Sequence, residues 1–246
     1  MNKASYDHTD TEQIEGGKPG VQLTATPTAV GLADQRLDNV RTWMRALVEA
    51  GTVPGLAVVV SRRGQIVFHE LAGSMDLEAG KPVRPDTIYR IYSMTKPIVC
   101  AAAMMLYEEG KFQLDDPITR HLPAFEKMRV AVMDGDGEAS FVPAARGISF
   151  RDLMTHTSGL VYGGMVGPPF ANWYQDAGVE FNFTDSQESL AEMVARVPEV
   201  PLMAHPGTEW NYGISIDVLG HLVEILADRP LDEFLAERIF QPLGMT

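Results

Sequence analysis

One cysteine, Cys100, stands in 246 residues. A single thiol forms no disulfide within the chain and no cysteine-rich metal site. Long apolar runs are lacking as well, since no stretch approaches the ~18 residues that a membrane-spanning helix needs. Positive charge is scarce: Lys and Arg total 20 against 33 Asp and Glu, a formal net charge of −13. Such a surface repels phosphate backbones and anionic lipids, which argues against nucleic acid and membranes as partners. The six histidines show no ligand spacing, and His-Glu-x-x-His does not occur. No metal or cofactor is implied. The first thirty or so residues are polar and rich in Gly, Thr and Pro, without the apolar core of a signal peptide. The expectation from these absences is a soluble, cytoplasmic protein.

What is present is a 45% apolar chain, long enough to bury a substantial core. Residues 1–33 read as a mobile leader. Leu37 to Ala50 has helical spacing, with Val40, Trp43, Leu47 and Val48 on one stripe. Leu56 to Ser61 and Gln65 to Leu71 are β-branched-rich runs joined by Arg62-Arg63-Gly64, which predicts a hairpin. Ser93 to Glu109 turns strongly helical, and its middle, Ile98 to Leu106, is apolar all round, which predicts a helix buried at the centre of a domain. Met128 to Met133 and Ala139 to Val142 flank a Gly/Asp turn and read as a second, small hairpin. Ser149 to Thr155 has the look of a short capped helix. Residues 161–184 read as an irregular wall or lid. Asp185 to Ala195, Ile216 to Ala227 and Leu231 to Phe240 read as further helices. The class is α+β. Residues 34–96 form the first part of a sheet domain, 97–215 a mainly helical domain, and 216–246 return helices.

Ser93-Met94-Thr95-Lys96 matches Ser-x-x-Lys. At i and i+3 of a helix the two side chains share a face. A desolvated lysine amine loses its proton more easily and then serves as base for the serine hydroxyl. The helix N-terminus adds free N–H groups that favour negative charge on a nearby oxygen. The pair alone is weak, because ten serines and six lysines in 246 residues give a chance match in about one such sequence in four. Its bland reading is a helix cap and a solvated lysine; the apolar helix directly behind Lys96 speaks against that. Tyr212 is a second candidate, a phenol able to relay a proton. His156, in Thr155-His156-Thr157-Ser158-Gly159, reads as a hydrogen-bonding histidine of a turn. Asp134-Gly135-Asp136-Gly137-Glu138 lacks the glycine and glutamate that a calcium loop requires. Gly213-Ile214-Ser215-Ile216-Asp217 narrowly misses the Gly-x-Ser-x-Gly elbow.

Longer blocks surround the pair. Asp86 to Pro97 (DTIYRIYSMTKP) resembles the nucleophile block of the serine β-lactamase-like superfamily, closest to the family VIII carboxylesterases, which are related to class C β-lactamases. Leu114-Asp115-Asp116-Pro117, Arg151 to Leu160 (RDLMTHTSGL) and Pro206 to Gly220 follow in the family's order and spacing. The resemblance covers roughly residues 36–246. It implies a β-lactamase/DD-peptidase-like fold, with an antiparallel sheet flanked by helices and a mainly helical domain. It implies Ser93 as nucleophile, Lys96 as its base partner and Tyr212 as proton relay. Acyl transfer would pass through an acyl-enzyme, with the Ser93 backbone N–H as half of the oxyanion hole.

Two departures stand out. Where β-lactamases and peptidases usually carry Tyr-x-Asn or Tyr-x-Ser, this chain has Tyr212-Gly213-Ile214. Isoleucine donates nothing to a substrate amide, which favours an ester. The strands that close the family's sheet have no counterpart before Thr246, so the expectation is a C-terminal segment or a second chain that completes the sheet. The resulting reading is a serine carboxylesterase for small, short-acyl esters. The alternatives are a β-lactamase, a D-Ala-D-Ala-type peptidase or an acyltransferase on the same scaffold, or an inactive, hydrolase-derived binding module.

Overall fold

The computed structural model describes residues 21–135, 137–179 and 188–245. They fall into two compact units, one ending at Arg90 and the other beginning at Ile91. The division lies six residues before the expected one at 96/97, so Ser93 and Lys96 belong to the second unit together with Tyr212. Among the described residues no helix is long and apolar enough to cross a membrane.

In the first unit Arg63 and Gly64 both adopt positive φ, 55° and 72°, the twist that a two-residue hairpin loop needs. β1 (Gly55–Arg62) thereby folds back on β2 (Gln65–Asp76), with Arg62 opposite Gln65 and Gly55 opposite Gly73. β3 (Lys81–Pro82) pairs with the other edge of β2. Helix α1 (Asp34–Glu49) buries Leu37 and Met44, two turns apart in nearly the same direction. Its stripe differs from the expected one: Val40, Leu47 and Val48 are half-buried, whereas Trp43 is 53% exposed, because at about 100° per residue it points well away from Met44. Arg41 ties the helix to the sheet, donating to Glu70 Oε2 at 2.8 Å with its guanidinium 4.9 Å from the Phe68 ring centroid.

Of the expected leader, residues 1–20 lie outside the described residues, whereas 21–33 are built into the first unit. The Thr24 N–H donates to the Ile66 carbonyl at 2.8 Å, the Ile66 N–H returns a bond to Thr24 Oγ1 at 2.7 Å, and Val30 is buried. The polar composition of this segment concealed two anchors, a strand-edge pairing and one apolar side chain.

In the second unit α2 (Thr95–Glu108) follows a 3₁₀ turn over Tyr92–Met94. Its buried stripe is Val99, Ala102, Ala103 and Leu106, while Ala101 is exposed and Met104 and Met105 are half-buried. The helix is therefore buried along one stripe rather than all round; three consecutive alanines give the run apolar character without the bulk to fill a core on every side. Helix α6 (Ser215–Ala227) is the more deeply set, with Ile216, Val218, Leu219, Leu222 and Val223 all buried. Gly220 of α6 lies where Leu190, Leu231 and Val99 converge. This brings α5 (Leu190–Arg196), α6, α7 (Leu231–Leu235) and α2 together. The small hairpin forms as expected, β4 (Arg129–Met133) on β5 (Ala139–Pro143), and Leu202 bridges Val130 in parallel. The segment expected to be irregular contains, among its described residues, a 3₁₀ turn over Gly163–Met165 and the short helix α4 (Phe170–Asp176); residues 180–187 lie outside the described residues.

A capping box starts α3 (Phe150–Met154). Ser149 accepts from the Asp152 N–H, and the Asp152 carboxylate accepts from the Ser149 N–H and hydroxyl. Arg146 closes on the same carboxylate with a two-pronged contact at 2.6 and 2.8 Å. Asp152 also fastens the next turn, through Thr157 Oγ1 at 3.2 Å and the Thr157 N–H on the Asp152 carbonyl at 2.9 Å. Burial pushes the Asp152 carboxyl up, but Arg146 and Ser149 outweigh it and hold it below the ordinary value of 3.8. A carboxyl depressed in the folded state contributes stability above the unfolded pKa and loses it as pH falls through the folded one. Asp152→Asn is expected to cost about 1–2 kcal/mol at pH 7, modest because Arg146 is half exposed. Urea titrations of both proteins should show that gap shrinking once the pH drops below 3.8.

Candidate active site

Tyr92 adopts φ 44°, a left-handed backbone uncommon for an aromatic residue, and Ser93 follows it in the 3₁₀ turn. Ser93 therefore does not cap α2. The cap position falls to Met94, which makes no side-chain cap bond, and the serine hydroxyl is left for other partners. Lys96, in the first turn of α2, directs Nζ back to Ser93 Oγ at 3.3 Å, the meeting that i and i+3 on one helical face allows. Tyr212 reaches the same oxygen from 119 residues away, donating from Oη at 2.6 Å. The three residues singled out in the sequence are thus brought together, and all three lie in one unit.

Tyr212 is held by the turn that Asp152 fastens. His156 has φ 56°; its carbonyl accepts the Asn211 N–H at 2.7 Å, and its Nδ1 faces the Gly213 N–H at 3.4 Å. Its ring lies 4.7 Å from that of Tyr212, tilted by 42°. Burial, and then the charge of Lys96, depress the His156 pKa, so the ring is neutral and its nitrogen accepts. His156 is accordingly a brace for the tyrosine segment, as the turn reading expected. Gly213 has no room for a side chain: a Cβ there would sit 2.4 Å from Val161 Cα and 2.5 Å from the Leu160 carbonyl oxygen. Ile214, at the position where an amide or hydroxyl was expected for β-lactam or peptide substrates, is buried in the core.

Two polar residues at this site were not singled out from sequence. Tyr162 is buried, and its Oη accepts from Lys96 Nζ at 3.0 Å and donates to Asp217 Oδ2 at 3.3 Å. Lys96 Nζ also lies 4.9 Å from the ring centroid of Tyr212 and 5.3 Å from that of Tyr162. The signal for Asp217 was available: it is the one acid in the first two turns of a largely apolar helix. Tyr162 carried none, being one aromatic among many in a Gly/Pro-rich stretch.

The two tyrosines are pushed in opposite directions. Burial, with the nearby Asp217 charge, drives the Tyr162 phenol far above its ordinary range. Burial raises Tyr212 too, but hydrogen bonds to Ser93 and Lys96 and the Lys96 charge win, and the net shift is downward. Opposed shifts in adjacent groups separate a proton-transfer group from a fixed one. Tyr212 is the one suited to exchange a proton with Ser93, and Tyr162 keeps its own. A cavity of about 760 Å³ occurs in the first unit, among Pro54, Asp76, Lys81, Arg84 and Tyr89. It holds none of these side chains, so the site is marked by its chemistry and not by that concavity.

A serine, a lysine and a tyrosine joined in this way on an α+β scaffold define the class of the β-lactamases and DD-peptidases. The sequence model of the family described as Beta-lactamase matches residues 40–246, and the chain belongs to that family. Protein Rv1367c of Mycobacterium tuberculosis (strain ATCC 25618 / H37Rv) is 39% identical over 213 residues, 85% of this chain and 51% of that protein. Esterase EstB of Burkholderia gladioli is 37% identical over 210 residues, 85% of this chain and 50% of its own. Among solved structures, EstCE1, described as a hydrolase with promiscuous acyltransferase activity, superposes with a TM-score of 0.73 at 31% identity, covering 86% of this chain and 52% of its own. The chain thus spans about half the length of the relatives it matches.

Gly213→Ala tests the placement of Tyr212. The added methyl meets backbone that does not yield, so the tyrosine must shift, and a misplacement of about 1 Å costs ~10²-fold in reactivity. Labelling of Ser93 by a fluorophosphonate should slow to that extent. Gly164→Ala, which has open space around the new Cβ, should label at the normal rate.

Proposed function

We propose that this chain carries the nucleophile, base partner and proton relay of a serine carboxylesterase acting on small, short-acyl esters. The observation that carries the reading is the 2.6 Å contact of Tyr212 Oη with Ser93 Oγ, with Lys96 Nζ 3.3 Å from the same oxygen. Ser93 Oγ attacks the ester carbonyl carbon. Its proton passes into the Tyr212–Lys96 pair, Tyr212 Oη being the nearer atom. The Ser93 N–H, close to the start of α2, supports the developing oxyanion. The tetrahedral intermediate expels the alcohol, which takes the proton, and an acyl-Ser93 ester remains. Water, deprotonated by the same pair, then releases the acid and restores the hydroxyl. The likeness to EstB favours an ester substrate, and the apolar, buried Ile214 agrees with it.

A second reading rests on the likeness to EstCE1. If an alcohol replaces water in the last step, the same acyl-enzyme transfers its acyl group. Hydrolysis and transfer differ only in the incoming nucleophile, so product analysis with and without added alcohol tells them apart.

A fluorophosphonate probe should label the protein, and Ser93→Ala should abolish the labelling; an unlabelled wild type overturns the nucleophile assignment. With p-nitrophenyl butyrate, Lys96→Ala and Tyr212→Phe should each lower kcat by at least ~10²-fold, the scale of an acid–base partner. Turnover of nitrocefin without turnover of the ester would instead favour a β-lactamase. The base form of Tyr212 must be deprotonated, so kcat/KM should rise with pH toward a pKa below the ordinary phenol value of 10.0. Residual activity in Tyr212→Phe should lack that rise.

A further inference from the structure

Beneath Lys96 lie two groups that the reaction as written does not use. Lys96 Nζ donates to Tyr162 Oη at 3.0 Å, a closer contact than the one it makes with Ser93. Tyr162 Oη in turn donates to Asp217 Oδ2 at 3.3 Å. An ammonium only donates and an ionised carboxylate only accepts, while a hydroxyl does both. A hydroxyl between the two has one orientation, with its proton toward Asp217 and its lone pairs toward Lys96. Asp217 stands in the first turn of α6 between the buried Ile216 and Val218, where the helix N-terminus favours a negative charge.

We propose that Tyr162 and Asp217 are positioning residues for Lys96: together they form a one-way chain that holds Nζ against Ser93. The proposal rests on the Ser93–Lys96–Tyr212 reading above. Burial drives the Asp217 carboxyl up and prevails, while the Lys96 charge, a backbone hydrogen bond and the Tyr162 hydroxyl oppose that rise and favour the charged form. Tyr162 keeps its proton throughout the working range, because burial and Asp217 drive its phenol up. The other polar groups around Nζ are Ser93 on its own segment, Tyr212, and His156, whose ring Lys96 helps to keep neutral. Among the described residues, Asp217 is thus the carboxylate that answers the lysine, and Tyr162 is the hydroxyl that touches both. A purely structural role would also explain a satisfied buried network, so the test has to separate packing from function.

The variants are Tyr162→Phe, which keeps the ring, Asp217→Asn, which keeps the shape, and the two combined. Each is assayed with p-nitrophenyl butyrate, and kcat is divided by the number of sites that a fluorophosphonate labels, so that misfolded protein does not count. Each single variant should lower kcat per labelled site at least tenfold, with KM within threefold of wild type. The double variant should be no worse than the weaker single, within threefold, because the two residues act through one chain. Any one of three results overturns the proposal: labelled sites lost while kcat per site is unchanged, effects of the two singles that multiply, or a rise in KM alone. A wild-type protein that never labels at Ser93 sinks the underlying functional reading instead, and so the two failures are distinguishable.

Discussion

The second unit is arranged around one nitrogen. Lys96 Nζ lies within 3.3 Å of Ser93 Oγ and 3.0 Å of Tyr162 Oη, with the faces of Tyr162 and Tyr212 about 5 Å away. A half-buried ammonium requires this enclosure, since each N–H denied water needs an acceptor and a desolvated cation gains from aromatic faces. Each contact then constrains a different element. The stem of Lys96 is set by the stripe that seats α2, Val99, Ala102, Ala103 and Leu106. Tyr212 is set by the His156 turn, and that turn by Asp152 and its capping box. An ion pair and a cap remote from Ser93 in sequence therefore fix the angle at which the phenol meets it.

Two tyrosines share one lysine but differ in what else surrounds them. Tyr162 is buried, with a carboxylate behind it; Tyr212 is half-buried, with a serine hydroxyl in front. Burial opposes phenolate in both. What separates them is depth of burial and the partner of each hydroxyl: Tyr162 is the more deeply buried and donates to Asp217, whereas the hydrogen bonds of Tyr212 to Ser93 and Lys96, with the Lys96 charge, outweigh its burial. The division of labour follows from placement, with no difference in residue type. One phenol becomes a permanent donor and the other is free to give and take a proton at Ser93.

How much of this was legible in the sequence depends on the range of each contact. Ser93 and Lys96 could be read directly, because a helix converts a spacing of three into adjacency. The hairpins, the short capped helix at Ser149 and the helix expected from Ile216 were legible for the same reason: turn chemistry and periodicity act over a few residues. The Tyr212–Ser93 contact spans 119 residues and the Tyr162–Lys96 contact 66. No local pattern encodes such distances: Tyr212 could be read only as a phenol able to relay a proton, and the ordered blocks of the family resemblance were needed to link it to Ser93. Asp217 was quoted in the sequence and passed over, since an acid on a largely apolar helix gains meaning only when its partner is known. Trp43 and residues 21–33 show the opposite failure. Hydrophobicity placed Trp43 on a stripe that the helix turns away from the core, and polarity marked as leader a segment that Thr24 and Val30 pin down.

The Tyr212-Gly213-Ile214 run shows how local packing and chemistry are tied. Gly213 presses against the backbone of Leu160 and Val161, which turns the next side chain inward. Ile214 is 4% exposed and occupies the cap position of α6. A donor such as Asn at 214 in this conformation would be buried without a partner, at a cost of roughly 1–3 kcal/mol. The same apolar plug seats the N-terminal turn of α6, and that turn presents Asp217 to Tyr162. The residue that forgoes a polar contact with substrate thus helps to hold the carboxylate behind the lysine. Restoring a polar residue at 214 would work against the packing on which the opposite side of the site depends.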